Sequence, residues 1–326
     1  DPNSGGQRNR AVSNFEVDSG SDTTEVVSDQ GDPFLGHLAV TNQFTQTSGV
    51  LEYSTSVNIV GAISGDEFVY TAGEFLADGA YIILNDRNAT SASNRPTLDI
   101  IDDSSSVEIP NLAVASLNNA NREGVALDDE QNVRVTNELI LRGQVLSDES
   151  SSDGQLIVGD GASVIRPSTS TDPSGNVSLP VYTANDVLDE QPTFAGTYNL
   201  VYGNDGTDDF TSGFELDDGS SSITSLTIDA SDVYFESDGS NFLSGDVTVN
   251  EALTFTNGNL DYGRQLVVAD SATVTRENGG LFDAGTGAGN PDNTQDSDTD
   301  NPSALEAPGF RVQPKESSLT TAMSRS

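Results

Sequence analysis

Three stretches of the chain repeat one another, with the rhythm of short strands wound into coils. Leu38-Ala-Val-Thr-Asn-Gln-Phe-Thr-Gln-Thr-Ser-Gly-Val-Leu-Glu-Tyr53 aligns without a gap on Val247-Thr-Val-Asn-Glu-Ala-Leu-Thr-Phe-Thr-Asn-Gly-Asn-Leu-Asp-Tyr262. A third copy opens as Val133-Arg-Val-Thr-Asn-Glu-Leu-Ile-Leu141. Its continuation, Gln155-Leu-Ile-Val-Gly-Asp-Gly-Ala-Ser-Val-Ile-Arg166, is nearly repeated by Gln265-Leu-Val-Val-Ala-Asp-Ser-Ala-Thr-Val-Thr-Arg276. Repetition of this kind, with no catalytic signature between the copies, points to an extended scaffold.

Within the clearest copy the apolar residues fall in i, i+2 pairs: Val247/Val249, Leu253/Phe255, Leu260/Tyr262, Leu266/Val268 and Ala272/Val274. Alternation over a few residues marks a strand with one buried face. Successive pairs start about six residues apart, which suits short strands separated by corners such as Asn257-Gly258, Tyr262-Gly263 and Asp270-Ser271. Three sides of this length make a coil of roughly twenty residues. The fold class expected is therefore all-β: a single-stranded parallel β-helix, or β-solenoid, of about ten coils over residues 31–283, with flexible acidic ends. A β-sandwich or barrel shares the short strands and frequent turns. It is disfavoured because the spacing is tighter than its usual 8–12 residues per strand. Helices are excluded by the crowding of β-branched, Ser, Asp and Gly residues.

The domain organisation follows the same pattern. Residues 1–30 read as a polar N-terminal arm, 31–170 as the first half of the β-helix, and 171–192, broken by Pro173, Gly175, Pro180 and Pro192, as a loop or joint. Residues 193–283 form the second half. Residues 284–326 are an acidic low-complexity tail in which Phe310-Arg-Val-Gln-Pro can dock as a strand.

The chain carries 52 acidic residues against 13 basic ones, a formal charge of −39 over 326 residues, and Lys315 is its only lysine. Self-repulsion at this density destabilises a compact state unless cations screen it. The Debye length falls from about 8 Å at physiological salt to about 3 Å at 1 M, so a salty medium relieves much of that cost. Nucleic acid is not an expected partner, because phosphate neutralisation needs the Lys and Arg this chain lacks. With no cysteine there is neither a disulfide nor a thiolate metal site. No apolar run approaches the length of a membrane span. The chain starts at Asp1 rather than Met, which leads to the expectation of a processed, exported protein, extracellular or at the cell surface. Asn88-Ala-Thr90 and Asn176-Val-Ser178 fit the glycosylation acceptor pattern.

The series Gly196-Thr-Tyr-Asn-Leu-Val-Tyr202, Ser225-Leu-Thr-Ile-Asp229, Asp246-Val-Thr-Val-Asn-Glu-Ala-Leu-Thr-Phe-Thr-Asn-Gly-Asn-Leu260 and Gln265-Leu-Val-Val268 resembles the repeat regions of large secreted right-handed parallel β-helix proteins of Bacteroidota-type bacteria. The resemblance covers roughly a quarter of the chain well and a further third loosely. It implies a surface or adhesion scaffold, and its motifs are specific for the coil rather than for an activity. The Asp-rich, Arg-over-Lys composition is similar to that of halophile proteins, and a calcium-loaded secreted protein is the competing explanation. The chain departs from its own repeat at Gln46, where the aligned copy has Phe255, so looser packing of the first coils is expected.

Candidate chemistry is sparse. Paired acids occur at Asp102/Asp103, Asp148/Glu149, Asp208/Asp209 and Asp217/Asp218, with Arg142 and Arg166 as the nearest basic residues. Some β-helix lyases and hydrolases use such carboxylates. Among 52 acids, however, adjacent pairs arise without function, and sequence neighbours on a strand point to opposite faces. His37 is the only histidine, and no G-x-S-x-G elbow is present. Asp296, Asp298 and Asp300 alternate as calcium-loop acids do and are the candidate metal ligands. Asn301 and Ala307 stand where an EF-hand needs Gly and Glu, so any calcium is expected to be held only weakly. The expectation is a non-catalytic structural protein, self-associating through solenoid ends and terminal arms into a filament, sheath or layer. An adhesion or glycan-binding module with a surface glycan as partner is the first alternative, and a polysaccharide lyase or hydrolase the second.

Overall fold

The computed structural model describes residues 10–27, 38–60, 66–85, 97–100, 106–115, 125–127, 132–142, 145–147, 155–167, 187–188, 191–203, 206–216, 221–235, 246–262, 266–277, 282–283 and 310–312. Every strand pairing among them is parallel, which makes the molecule a β-solenoid. The sandwich alternative would need antiparallel ladders, and the described residues contain none.

One face can be followed from end to end. Its hydrogen-bonded register runs through Ala11, Ala39, Asn58, Ile83, Ala113, Ile140, Ile165, Val201, Thr227, Thr254 and Thr275, eleven positions in succession. On the second face Phe15, Phe44, Phe68, Leu98 and Leu127 share a register, and so do Phe210, Val233, Leu260 and Phe282. The third face holds Thr24, Leu51 and Phe75 at one end and Ser222, Thr248, Val267 and Arg311 at the other. Chain order visits the three faces in turn, and the continuous strands Arg10–Val26, Leu38–Tyr53 and Val247–Tyr262 each bend across all three.

Coils are longer and less even than the twenty residues expected. The shortest step on the first face is 19 residues, from Leu38 to Val57, and the longest is 36, from Ser163 to Asn199. The strands themselves stay short, and the extra length falls between them, where insertion leaves the ladder intact. Register shifts also fall at corners, for instance between Val12 and Asn14 and between Ile228 and Asp229. The expected arm over residues 1–30 contains a coil of its own, because Arg10–Val26 pairs along nearly its whole length with Leu38–Tyr53. The docking strand expected in the tail is Phe310–Val312, which lies parallel to Leu266–Val268.

The internal copies do not all occupy the same faces. The copies at 133 and 247 begin on the third face and continue onto the first, whereas the copy at 38 begins on the first. Three sides of similar length make a side–corner–side pattern blind to which side it starts on.

The core is the inward column of each face. Val57, Ile82, Leu112, Leu139, Val164, Leu200, Leu226 and Leu253 are all buried on the first face, stacked one per coil. A second layer lies on the opposite side of that face, where Ile83, Ala113 and Ile140 are also buried and cluster with Tyr81. Strands buried on both sides read as continuous apolar runs, as Tyr81-Ile-Ile-Leu84 and Leu139-Ile-Leu141 do. The first coils are packed by an aromatic stack: Phe15 on Phe44 at 5.8 Å, Phe44 on Phe68 at 5.1 Å and Phe68 on Phe75 at 6.0 Å between centroids. Gln46 is buried beside this stack; its Nε2 donates to the carbonyls of Gly49 and Glu74, while its Oε1 has no hydrogen-bond partner among the described residues.

Neighbouring coils approach most closely at Gly203 and Gly258, both at positive φ. A Cβ at Gly203 would sit 1.9 Å from the Asp229 carbonyl oxygen on the following coil, and one at Gly258 1.8 Å from that of Ala230 on the preceding coil, so only glycine fits.

Candidate functional site

Side-chain hydrogen bonds run from coil to coil as regularly as the backbone ladders. Asn42 donates to Asn14 Oδ1, Asn259 to Asp232 Oδ1 and Asn257 to Asp229 Oδ1, while Ser225 donates to Asn199 Oδ1. The partners are 26 to 28 residues apart, about one coil. Short polar side chains at the corners are thereby used to join one turn to the next. Tyr81 reaches across two coils to donate to Glu138, and burial and that carboxylate together raise its phenol pKa.

The densest polar cluster lies inside the prism. Val164 and Arg166 are two residues apart on one strand, so the alternation that buries Val164 also turns Arg166 inward. Arg166 is fully buried, with its guanidinium 5.7 Å from the Tyr202 ring centroid and 5.5 Å from that of Phe210. Its Nη1 donates to Glu215 Oε1 at 2.7 Å and to the Thr211 carbonyl. Glu215, also fully buried, accepts the Tyr202 hydroxyl at 2.9 Å on Oε1 and the Gly213 amide at 2.9 Å on Oε2. The Tyr198 hydroxyl donates to the Glu215 carbonyl at 2.6 Å. Burial, reinforced by the Glu215 charge and opposed by Arg166, raises the Tyr202 phenol well above its ordinary value. Two charges this deep persist only when paired and hydrogen-bonded, and here both carboxylate oxygens are engaged.

This cluster marks the middle of the solenoid. First-face pairing crosses it unbroken, from residues 163–166 to 199–202. The longest coil step falls here, within which Val187 and Leu188 are buried. The carboxylate is closed to solvent and accepts on both oxygens, which suits a lock between coils.

Of the residues singled out in the sequence, Arg142 and Arg166 are buried. Asp208 and Asp209 sit at a corner of the second half, with Asp209 exposed and in register with Asp232. Asp102/Asp103, Asp148/Glu149, Asp217/Asp218, His37 and the candidate ligands Asp296, Asp298 and Asp300 lie outside the described residues. Among the described residues no group of three or more His, Asp or Glu is placed to hold a metal ion. Among the described residues the exposed large apolar side chains are Val27, Leu76 and Val274. Among the described residues no helix is long and apolar enough to cross a membrane. Sequence reasoning missed Glu215 and its tyrosines. The available signal was the inward phase of Arg166, since an inward charge demands a buried partner.

The two ends are the other notable feature. Arg10–Val26 has a ladder on one side only among the described residues, and most of its side chains are exposed. At the far end Thr273–Arg276 is exposed throughout, and Val274, 39% accessible, is where the inward column headed by Leu253 emerges. Arg276 lies over the Phe255 ring at 6.0 Å. No family model, curated protein or solved structure matches the chain.

Proposed function

We propose that this chain is a secreted, non-catalytic structural protein of the cell surface, a self-assembling solenoid subunit of a filament, sheath or layer. The observation that carries this reading is a parallel ladder that runs through eleven coils, with Arg10–Val26 at one end laddered on one side only among the described residues. Unpaired edges invite another strand, and a solenoid has one at each end. The interior supports the same reading, because its charged residues are consumed in holding coil to coil. Exposed carboxylates along the coils keep neighbouring rods apart laterally at low salt, an effect that molar salt screens.

Light scattering and electron microscopy of the purified protein in molar salt test the assignment. Elongated assemblies are expected. Monodisperse 34.1 kDa particles at every salt concentration would contradict it. Release of reducing ends or unsaturated products from polysaccharide would favour the enzymatic alternative instead.

A further inference from the structure

The last strand of the solenoid is reached by a link unlike those before it. In the three preceding coils the third-face stretch starts at most 12 positions after the second-face stretch ends, the longest step running from Phe235 to Val247. In the last coil the step is 27 positions, from Asp283 to Phe310. The 26 residues between them can span about 85 Å, far more than one side of a coil. The link therefore does not place Phe310–Val312. Its pairing with Leu266–Val268 does, in the parallel register Leu266 to Phe310, Val267 to Arg311 and Val268 to Val312.

That pairing has little room to spread. Pro308 and Pro314 stand two residues outside the strand on either side, and proline has no amide hydrogen to give a ladder. Three pairs must hold the strand against the entropy of closing a long link. What they cover is an edge of different character. Leu266, Val267 and Val268 are all buried, and on their other side they pair with residues 247–249. A run of three apolar residues with an open edge is a template for a foreign strand. Sheets blunt such edges with very short strands and with proline, and Phe310–Val312 with its flanking prolines provides both.

We propose that Phe310–Val312 is a detachable strap, a segment of this chain that closes the edge of Leu266–Val268 against a strand from a second copy. The strap stands on its pairing alone, and its effect on association rests on the assembly reading above. When the strap leaves, its tether keeps it close enough to return, so the edge opens and recloses while the coils beneath stay folded. A strand from a second copy then competes with reclosure by the tethered one.

Hydrogen exchange and sedimentation of the full chain test this. Arg311→Pro with Val312→Pro removes two consecutive amides, one of which faces the ladder whatever its phase. Circular dichroism and unchanged exchange over Leu38–Tyr53 verify that the coils remain folded. The expected result is exchange across Leu266–Val268 faster by about tenfold or more, with an association constant in molar salt raised about threefold or more. Arg311→Gly with Val312→Gly, which weakens the same pairing without proline, moves both readings the same way by less. Unchanged exchange at Leu266–Val268 overturns the strap. Faster exchange with association unchanged or weakened overturns its capping role, and leaves the assembly reading standing where the unaltered chain assembles. If the unaltered chain stays monodisperse and the variants associate, the strap is upheld and the assembly reading for the intact chain falls.

Discussion

The aromatic coils near the start of the solenoid and the ionic joint at its middle solve one problem in opposite ways. Both must fill inward positions between successive coils. In the first, Phe15, Phe44, Phe68 and Phe75 stack ring on ring, and the stack asks nothing of its neighbours but contact. In the second, Arg166 and Glu215 occupy the core, and besides each other they engage the Thr211 carbonyl, the Tyr202 hydroxyl and the Gly213 amide. A slip of one residue would turn Phe44 outward as it would Arg166, but only at the joint would it leave a buried charge, Glu215, without its partner. The difference suggests that the joint specifies register where the coil is longest and apolar contacts alone specify it least.

Removing one partner at the joint should produce the largest effect. Arg166→Ala or Glu215→Ala leaves an unpaired buried charge and costs about 3–5 kcal/mol by urea unfolding. Replacing both with apolar residues, as in Arg166→Met with Glu215→Leu, recovers at least half of that loss. If the singles and the double cost the same, the pairing account of the joint fails. Phe44→Ala costs about 3 kcal/mol through transfer and cavity terms, and no second substitution of a polar partner rescues it.

Alkali sharpens the contrast further. Burial raises the phenol pKa values of Tyr53 and Tyr202, and of Tyr81 with help from Glu138, while the same groups in the unfolded chain ionise near 10.0. Their contribution to stability is intact below that pH and is lost as pH rises beyond it. Urea midpoints should hold steady through pH 9 and fall above 10, in step with tyrosinate absorbance. The smallest effect separates two tyrosines. The Tyr53 hydroxyl has no hydrogen-bond partner among the described residues, so Tyr53→Phe changes stability by under about 0.5 kcal/mol. Tyr202→Phe removes a donor to a buried carboxylate and costs about 1.5–3 kcal/mol by the same assay.

The strands of the second half were legible in the sequence because period-two alternation reports burial directly, as in Val247 and Val249; the aromatic coils were legible only in part, since Phe15 fell in the stretch read as an arm. The joint was not. Glu215 acts from a turn with no alternating pattern, 49 residues from Arg166, and no local period carries a contact of that separation. The faces occupied by the internal copies were equally hidden, since three sides of similar length look alike in sequence. Gln46 follows the inward phase of the aligned Phe255, and only half of its buried amide is satisfied, through Nε2 on the carbonyls of Gly49 and Glu74. Doubly buried strands did announce themselves, through runs such as Tyr81-Ile-Ile-Leu84.

The stacking of every coil on the one before it can be measured as a single distance. The chain has no cysteine, so labels at Ala11→Cys and Thr275→Cys, both exposed outward positions on one ladder, report only that separation. Ten parallel steps of about 4.8 Å place them about 48 Å apart, within range of pulsed dipolar spectroscopy on a dilute sample in screening salt, with doubly labelled chains diluted into unlabelled protein. A distribution centred near that length is the expected result. One centred below about 35 Å, as two packed antiparallel sheets of short strands would give, would contradict the solenoid and everything derived from it.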